Sequence, residues 1–250
     1  MLKQTFSHIP GISKSTELYL WKNNILSWND FFLKEKTIKL NEENKRKIKE
    51  HLKKSEEALI KKDSLFFKTM PQNQIWRMYK EFKDDCCFLD IETTGLDKQR
   101  NRITTIGMFN GKESKVLING KNLHEFEEEI KKYKLLITFN GKCFDIPFIQ
   151  AKFPNAFLEM PHIDLRYVMA SIGYTGGLKK IEKMTGIDRG DDLEGVDGYE
   201  AVRLWHKYER GDQAALEKLV KYNIADIENL KTLMNFAYDK LKEKNFLEHI

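Results

Sequence analysis

Apolar and polar residues recur along this chain with two different periods, and the change between them divides it near residue 83. Up to that point the apolar positions fall at helical spacing. Ser13 or Ser15 can cap a helix that runs to about residue 23, with Leu18, Trp21 and Ile25 on its inner side. Ser27 with Asp30 three residues on marks a second start, backed by Trp28, Phe31 and Phe32. Residues 41–62 predict a strongly charged helix whose narrow apolar stripe is Ile48, Leu52 and Leu59. Ile75, Trp76, Tyr79 and Phe82 then give a short segment that docks onto the chain beyond it. Lys83-Asp84-Asp85 is the expected boundary between a helical region, 1–83, and a second domain, 84–250.

Beyond it the period shortens. Residues 86–91 are apolar and bounded by polar residues, the pattern of a buried strand. Residues 103–109 and 115–118 read as two more strands, with Asn110-Gly111 as a tight hairpin signal between them. An amphipathic helix over 123–133 and a buried strand over 135–139 come next. Short turns, then a helix, then another strand, predict an α/β fold: a mixed sheet with helices packed on it. Gly176-Gly177 opens a further helix, and the last long helix covers 212 to about 242.

Composition adds modest limits. The chain has 250 residues, of which 41% are hydrophobic, enough for a real core. Its net charge of +5 and pI near 8.8 are compatible with a polyanionic partner. No apolar run approaches the roughly 20 residues that span a bilayer, and Met1-Leu2-Lys3-Gln4 does not open a signal peptide. The expectation is a soluble, cytoplasmic protein. Three cysteines, Cys86, Cys87 and Cys143, cannot supply a cysteine-only tetrahedral zinc site and read as reduced packing residues. Lys45, Arg46, Lys47, Lys49, Lys53 and Lys54 could track a phosphate backbone, but the interspersed Glu50, Glu56 and Glu57 favour an ordinary solvated face.

The chemistry concentrates in three places. Along 86–91 and just beyond, side chains alternate, so Asp90 and Glu92 point to one face while Leu89 and Ile91 point to the other. Two adjacent carboxylates in a buried strand repel and are costly to desolvate, and a divalent cation would remove both costs. The second place is Asn140 to Asp145, where a strand ends and a helix begins near Cys143, with Pro147 tolerable in the first turn. Asp145 there either caps the helix or joins a site at the carboxyl end of the sheet. The third is the stripe Leu219, Tyr222, Asp226, Leu230, Leu233, which sets Asp226 inside an apolar helix face with Tyr222 one turn before it. Asp226 needs a partner, either a basic neighbour or a metal shared with the other acids. The glycine pair before Lys179 and Lys180 can hold a phosphate or form a flexible loop. His162 stands alone and is not read as a ligand. The acidic run Asp188, Asp191, Asp192, Glu194 and Asp197 reads as a solvated loop.

Asp90-Ile91-Glu92, Asn140 to Asp145, and Tyr222-Asn223-Ile224-Ala225-Asp226 together resemble the three motifs of the DEDD (DnaQ-like) 3′–5′ exonuclease superfamily. The tyrosine four residues before the last aspartate resembles its tyrosine-containing subgroup. Within it the chain is most similar to the YprB-type ribonuclease-H-like exonuclease domains, with supporting stretches at 76–82, 177–182 and 200–205. Ile9-Pro10-Gly11-Ile12 resembles both the helical leader of those proteins and the helix-hairpin-helix modules of DNA-binding proteins, and fits an ordinary helical hairpin equally. The resemblance implies a ribonuclease-H-like mixed sheet of about five strands and hydrolysis of phosphodiesters by two ions, Mg²⁺ or Mn²⁺. By the same resemblance Asp90 bridges the ions, Glu92 and Asp226 each serve one, and Asp145 completes the site. Tyr222, a poor base with an ordinary pKa of about 10, orients the attacking water. Thr93, Asn140, Lys179 and Gly11 are candidate nucleic-acid contacts. The implied partner is nucleic acid, single-stranded DNA in preference to RNA.

Overall fold

The Ser13 hydroxyl accepts the Thr16 N–H at 3.1 Å and opens helix α1 (Lys14–Lys22). Ser27 accepts from the Asp30 N–H at 3.2 Å while the Asp30 carboxylate accepts from the Ser27 hydroxyl and the Leu26 N–H, and α2 (Trp28–Lys34) begins there. α3 (Glu42–Ile60) starts on the Asn41 side chain, and α4 (Tyr79–Phe82) comes after a run of 3₁₀ turns. The computed structural model describes residues 1–189 and 197–250, so Asp191, Asp192 and Glu194 of the acidic run lie outside the described residues. The described chain divides into two compact units, Met1–Lys83 with Ala237–Ile250, and Asp84–Phe236.

Two details of the first unit depart from the helical pattern. α1 turns Glu17 and Leu20 inward with Trp21, while Leu18 stays half-buried. The reason is Arg77, fully buried and ion-paired with Glu17 at 3.0 Å. On α3 the buried stripe continues from Ile48 and Leu52 through Ser55 and Ala58 rather than Leu59. Ser55 is inward because its hydroxyl donates to the His51 carbonyl at 2.9 Å and accepts from His8 Nε2 at 2.9 Å. His8 stacks on Trp28 with ring centres 5.2 Å apart.

Burial, aided by the nearby His51 and Arg77, pushes His8 down to about 3. An unfolded histidine titrates near 6.5. Below that pH the unfolded chain binds a proton that the folded chain refuses. Stability is therefore complete above about pH 6.5 and lost as pH falls toward about 3, the full loss being about 5 kcal/mol. Urea melts from pH 7 to 4 should show this loss, and His8→Phe should flatten it. Equal acid sensitivity in both proteins would take the effect away from His8.

In the second unit β1 (Cys86–Thr93) pairs antiparallel with β2 (Ile103–Phe109), which pairs antiparallel with β3 (Ser114–Ile118). On its other side β1 pairs parallel with β4 (Leu135–Thr138), and β4 with β5 (His162–Asp164). The order is β3-β2-β1-β4-β5. α5 (Phe126–Ile130) and α6 (Asp145–Lys152) bury Phe126, Ile130, Phe148 and Ile149 against Cys87, Leu89, Ile91, Ile106 and Met108. α7 (Leu165–Ala170) and α8 (Leu178–Thr185) come after β5. α9 (Gly198–Glu209) packs Leu204 and Trp205 with Leu216, Leu219 and Tyr222 of α10 (Gln213–Asn245). This is the five-stranded, helix-flanked α/β sheet of the ribonuclease-H-like fold. Among the described residues no helix is long and apolar enough to cross a membrane.

Candidate metal centre

β1, β4 and β5 run in one direction, so their carboxyl ends open on the same edge of the sheet. Asp90 and Glu92 stand near the end of β1 and share a face. The β1–β2 register shifts between Glu92 and Thr93, where pairing with β2 becomes irregular. α10 carries Asp226 to the same place. One carboxylate oxygen each from Asp90, Glu92 and Asp226 lie within 4.8 Å of one another. Such spacing suits a common cation, since hard oxygen ligands sit about 2.0–2.6 Å from Mg²⁺ or Ca²⁺.

Asp145 does not join that trio. It occupies the first turn of α6, is buried, and accepts the Ile91 N–H through Oδ1 at 3.1 Å. It braces the strand between the two acids of β1 and adds its charge to theirs. Burial, then the charges of Asp226, Asp145 and Glu92, hold the Asp90 carboxyl well above the usual range. Glu92 is raised well above it by burial and then by Asp226 and Asp145. Burial pushes Asp145 to about 7 against the pull of its backbone hydrogen bonds. It pushes Asp226 to about 6, against the pull of Arg189. Four crowded acids that resist ionising call for positive charge, and a set made only of carboxylate oxygens fits Mg²⁺ or Mn²⁺ rather than a structural zinc.

Tyr222 is buried one turn before Asp226. Burial and the charges of Asp226 and Glu92 raise its phenol far above the ordinary value, which favours the protonated hydroxyl. Lys179 Nζ lies 5.1 Å and the Arg189 guanidinium 5.4 Å from its ring centre.

The other candidates are placed less centrally. Thr93 is buried, and its hydroxyl donates to the Gly95 carbonyl at 2.7 Å. Asn140 takes a left-handed φ of 63° and gives its N–H to Asp164 at 2.7 Å. Its side-chain oxygen accepts from Arg166 at 2.6 Å. Gly11 belongs to the first unit, with φ at 80°, and a Cβ there would come within 2.6 Å of Lys47 Nζ. Cys86 and Cys87 are buried, but Cys143 is exposed, 3.3 Å from the Tyr167 hydroxyl. It sits just after a turn whose Asn140 and Lys142 N–H groups donate to Asp164 at 2.7 and 3.1 Å.

Three residues of the site were given no role by the sequence pattern. Asn223 donates to Asp90 Oδ2 at 2.9 Å and orients that carboxylate. It fits because Gly107 lies opposite Asp90 on β2, where a Cβ would meet the Asn223 amide at 2.7 Å. Arg189 gives Nε and Nη2 to the Glu182 carboxylate at 2.7 and 2.8 Å, and its Nη2 lies 2.5 Å from Asp226 Oδ1. Asn223, three residues before Asp226 on the same helix face, could have been found by spacing. Arg189 and Glu182 are near each other in sequence but far from Asp226, which Arg189 reaches only through the fold.

A family model of the RNase_H superfamily matches residues 87–238, a span that holds Asp90, Glu92, Asp145, Tyr222 and Asp226. The chain belongs to the RNase_H superfamily. A curated relative, the uncharacterized protein MJ0365 of Methanocaldococcus jannaschii, is 29% identical over 168 residues, 60% of this chain and 94% of its own. A solved structure described as the apo form of the nuclease is 21% identical, with a TM-score of 0.47, over 70% of this chain and 79% of that one. Brucella melitensis NrnC with bound Mg²⁺ is 19% identical, with a TM-score of 0.44, over 68% of this chain and 81% of that one.

Proposed function

We propose that this RNase_H-superfamily chain is a metal-dependent 3′–5′ exonuclease of the tyrosine-containing DEDD type, YprB-like, acting on single-stranded nucleic acid. The observation that carries the reading is the convergence of Asp90, Glu92 and Asp226 within 4.8 Å at the carboxyl edge of the sheet. Asp90, Glu92 and Asp226 would hold two Mg²⁺ or Mn²⁺ ions, and Asp145 would complete the set. Bound divalent ions neutralise charge at the phosphodiester and lower the pKa of an attacking water.

The chain's own residues supply the rest. Asn223 fixes the Asp90 carboxylate by its amide, and the Ile91 N–H fixes Asp145. The Tyr222 hydroxyl remains protonated and orients the attacking water by a hydrogen bond. Lys179, above the Tyr222 ring, supplies positive charge for the substrate phosphate. Tyr222→Phe should keep the fold and metal binding while slowing hydrolysis roughly ten- to a thousandfold. Unchanged turnover in that variant would leave Tyr222 as packing alone.

Single-stranded DNA is the proposed substrate, on the strength of the leader, where Lys47 lies over the left-handed turn at Gly11. RNA is the competing substrate of the same chemistry, since the 2′-hydroxyl alone separates them. The test is a panel of 5′-labelled single-stranded DNA, single-stranded RNA and duplex DNA in Mg²⁺, Mn²⁺, Ca²⁺ or excess chelator. Ladders shortening from the 3′ end in Mg²⁺ or Mn²⁺ are expected, with binding but little turnover in Ca²⁺. Full cleavage in chelator would refute the mechanism. RNA cleaved in preference to DNA would overturn the substrate assignment alone.

A further inference from the structure

Arg189 is the one basic side chain in direct contact with the carboxylate trio among the described residues. It comes from the segment after α8, a stretch whose sequence is acidic and glycine-rich. Its side chain is 10% exposed and Glu182 is 2% exposed, so the pair is held out of water. Glu182 is fixed in turn by the Asn229 amide at 2.9 Å. The clamp therefore joins α8 to α10 through one guanidinium. Two of its nitrogens are committed to Glu182, one of these also reaches Asp226, and the third, Nη1, is buried with no hydrogen-bond partner among the described residues.

We propose that Arg189 is a resident counter-cation of the metal centre: clamped by Glu182, it neutralises Asp226 in the metal-free protein and competes with the ion that Asp226 would bind. A guanidinium cannot be deprotonated at working pH, so it is a permanent charge that a metal must either tolerate or displace from Asp226. The clamp keeps Arg189 close after such an exchange, because Glu182 still holds its other edge. The site then resists weak or solitary cations and loads when a divalent ion outbids the arginine. The inference rests on reading the acids as a metal site.

Two opposite effects distinguish this role from simple bracing of α8 against α10. Arg189→Met should lower the melting temperature in chelator, since Asp226 loses its counter-charge. The same change should tighten Mn²⁺ binding by about tenfold or more, because the competitor is gone and a positive charge has left contact range. Melts with Mn²⁺ should then show a larger metal-induced gain than wild type. Arg189→Gln, which keeps a polar side chain there, should behave the same way. Arg189→Lys should return Mn²⁺ affinity to within about threefold of wild type. Lys179→Met removes one charge from over the same tyrosine ring without breaking the pair, and should tighten binding by less than about threefold.

Calorimetric titration of the metal-stripped full chain with Mn²⁺, without nucleic acid, measures all of these. Arg189→Met and Arg189→Gln binding no more tightly than wild type would overturn the counter-cation and leave the metal site standing. Equal tightening in Lys179→Met would assign the effect to net charge and overturn it too. Absence of Mn²⁺ binding from wild type and every variant would remove the metal reading, and this inference with it.

Discussion

Asp90→Asn is expected to lose nearly all hydrolysis and yet melt, in chelator, at or above the wild-type temperature. The ordinary expectation for a substitution in a central strand is the reverse, a loss of about 1 kcal/mol or more. Here the replaced group is a source of strain. Asp90 is surrounded by Asp226, Asp145 and Glu92, and burial and these three charges all raise its carboxyl above the usual range. Arg189 and the Asn223 amide are the compensations the chain offers. An asparagine keeps the shape and can still accept from Asn223, while one of the repelling charges is gone. Metal reverses the ranking. An ion that binds only the folded state stabilises wild type by about 2.7 kcal/mol at a hundred times its dissociation constant. The variant, lacking one carboxylate of the proposed metal trio, should lose most of that gain. Thermal melts of both proteins in chelator and over a Mn²⁺ titration give the result. A variant that melts lower in chelator, with the same metal-induced shift as wild type, would make Asp90 a structural aspartate and end the shared metal site.

Much of this site was legible in the pattern of residues because its chemistry rides on regular elements. A period of two put Asp90 and Glu92 on one face of β1, and a period near 3.6 put Tyr222 and Asp226 on the buried face of α10. Neither depends on distant contacts, and both hold in the structure. The strands hold as well: the expected 103–109 is β2 to the residue, and 115–118 and 135–139 differ from β3 and β4 by one residue each. What escaped is set by tertiary partners. The helix expected over 123–133 is a 3₁₀ turn and then five α-helical residues, ending where the chain turns into β4. Leu18 would be inward on α1 by pattern, but the helix is rotated toward Arg77, sixty residues away. Arg189 lay in a stretch that composition alone marks as solvated, and it lies against Asp226 because Glu182 holds it there. Asp145 illustrates an intermediate case. Its closeness to the sheet end was foreseen, whereas its bond to the Ile91 N–H needed the register of α6 on β1.

Glu17→Ala should be the most destabilising single change in the first unit, costing about 3–5 kcal/mol. Glu17 and Arg77 both have fully buried side chains. Arg77 Nη1 donates to both Glu17 oxygens at 3.0 Å, and Glu17 Oε2 also accepts from the Phe6 N–H at 2.6 Å, the Ser7 N–H at 3.0 Å and the Thr5 hydroxyl at 2.7 Å. The carboxylate therefore ties the first residues of the chain to α1 and to Arg77 at once. Burial pulls Arg77 below its usual range, and Glu17 is the main group that opposes this. Removing Glu17 leaves a guanidinium without its ion-pair partner, beside the faces of Trp21 and Trp76 at 5.6 and 5.7 Å. It also leaves two backbone N–H groups unbonded, each a further penalty of about 1–3 kcal/mol where water cannot reach. The pair's own net worth is a separate quantity. Two buried charges cost several kcal/mol each to desolvate, so an apolar replacement of both partners can be neutral or better. The double variant Glu17→Leu/Arg77→Met should accordingly recover the part of the loss that comes from the orphaned guanidinium, but not the part owed to the Phe6 and Ser7 N–H groups. Urea unfolding of wild type, Glu17→Ala and the double variant separates the two contributions. If Glu17→Ala falls within about 1 kcal/mol of wild type, the ion pair does not hold this unit together, and if the double variant is no more stable than Glu17→Ala, the cost lies in the backbone bonds alone.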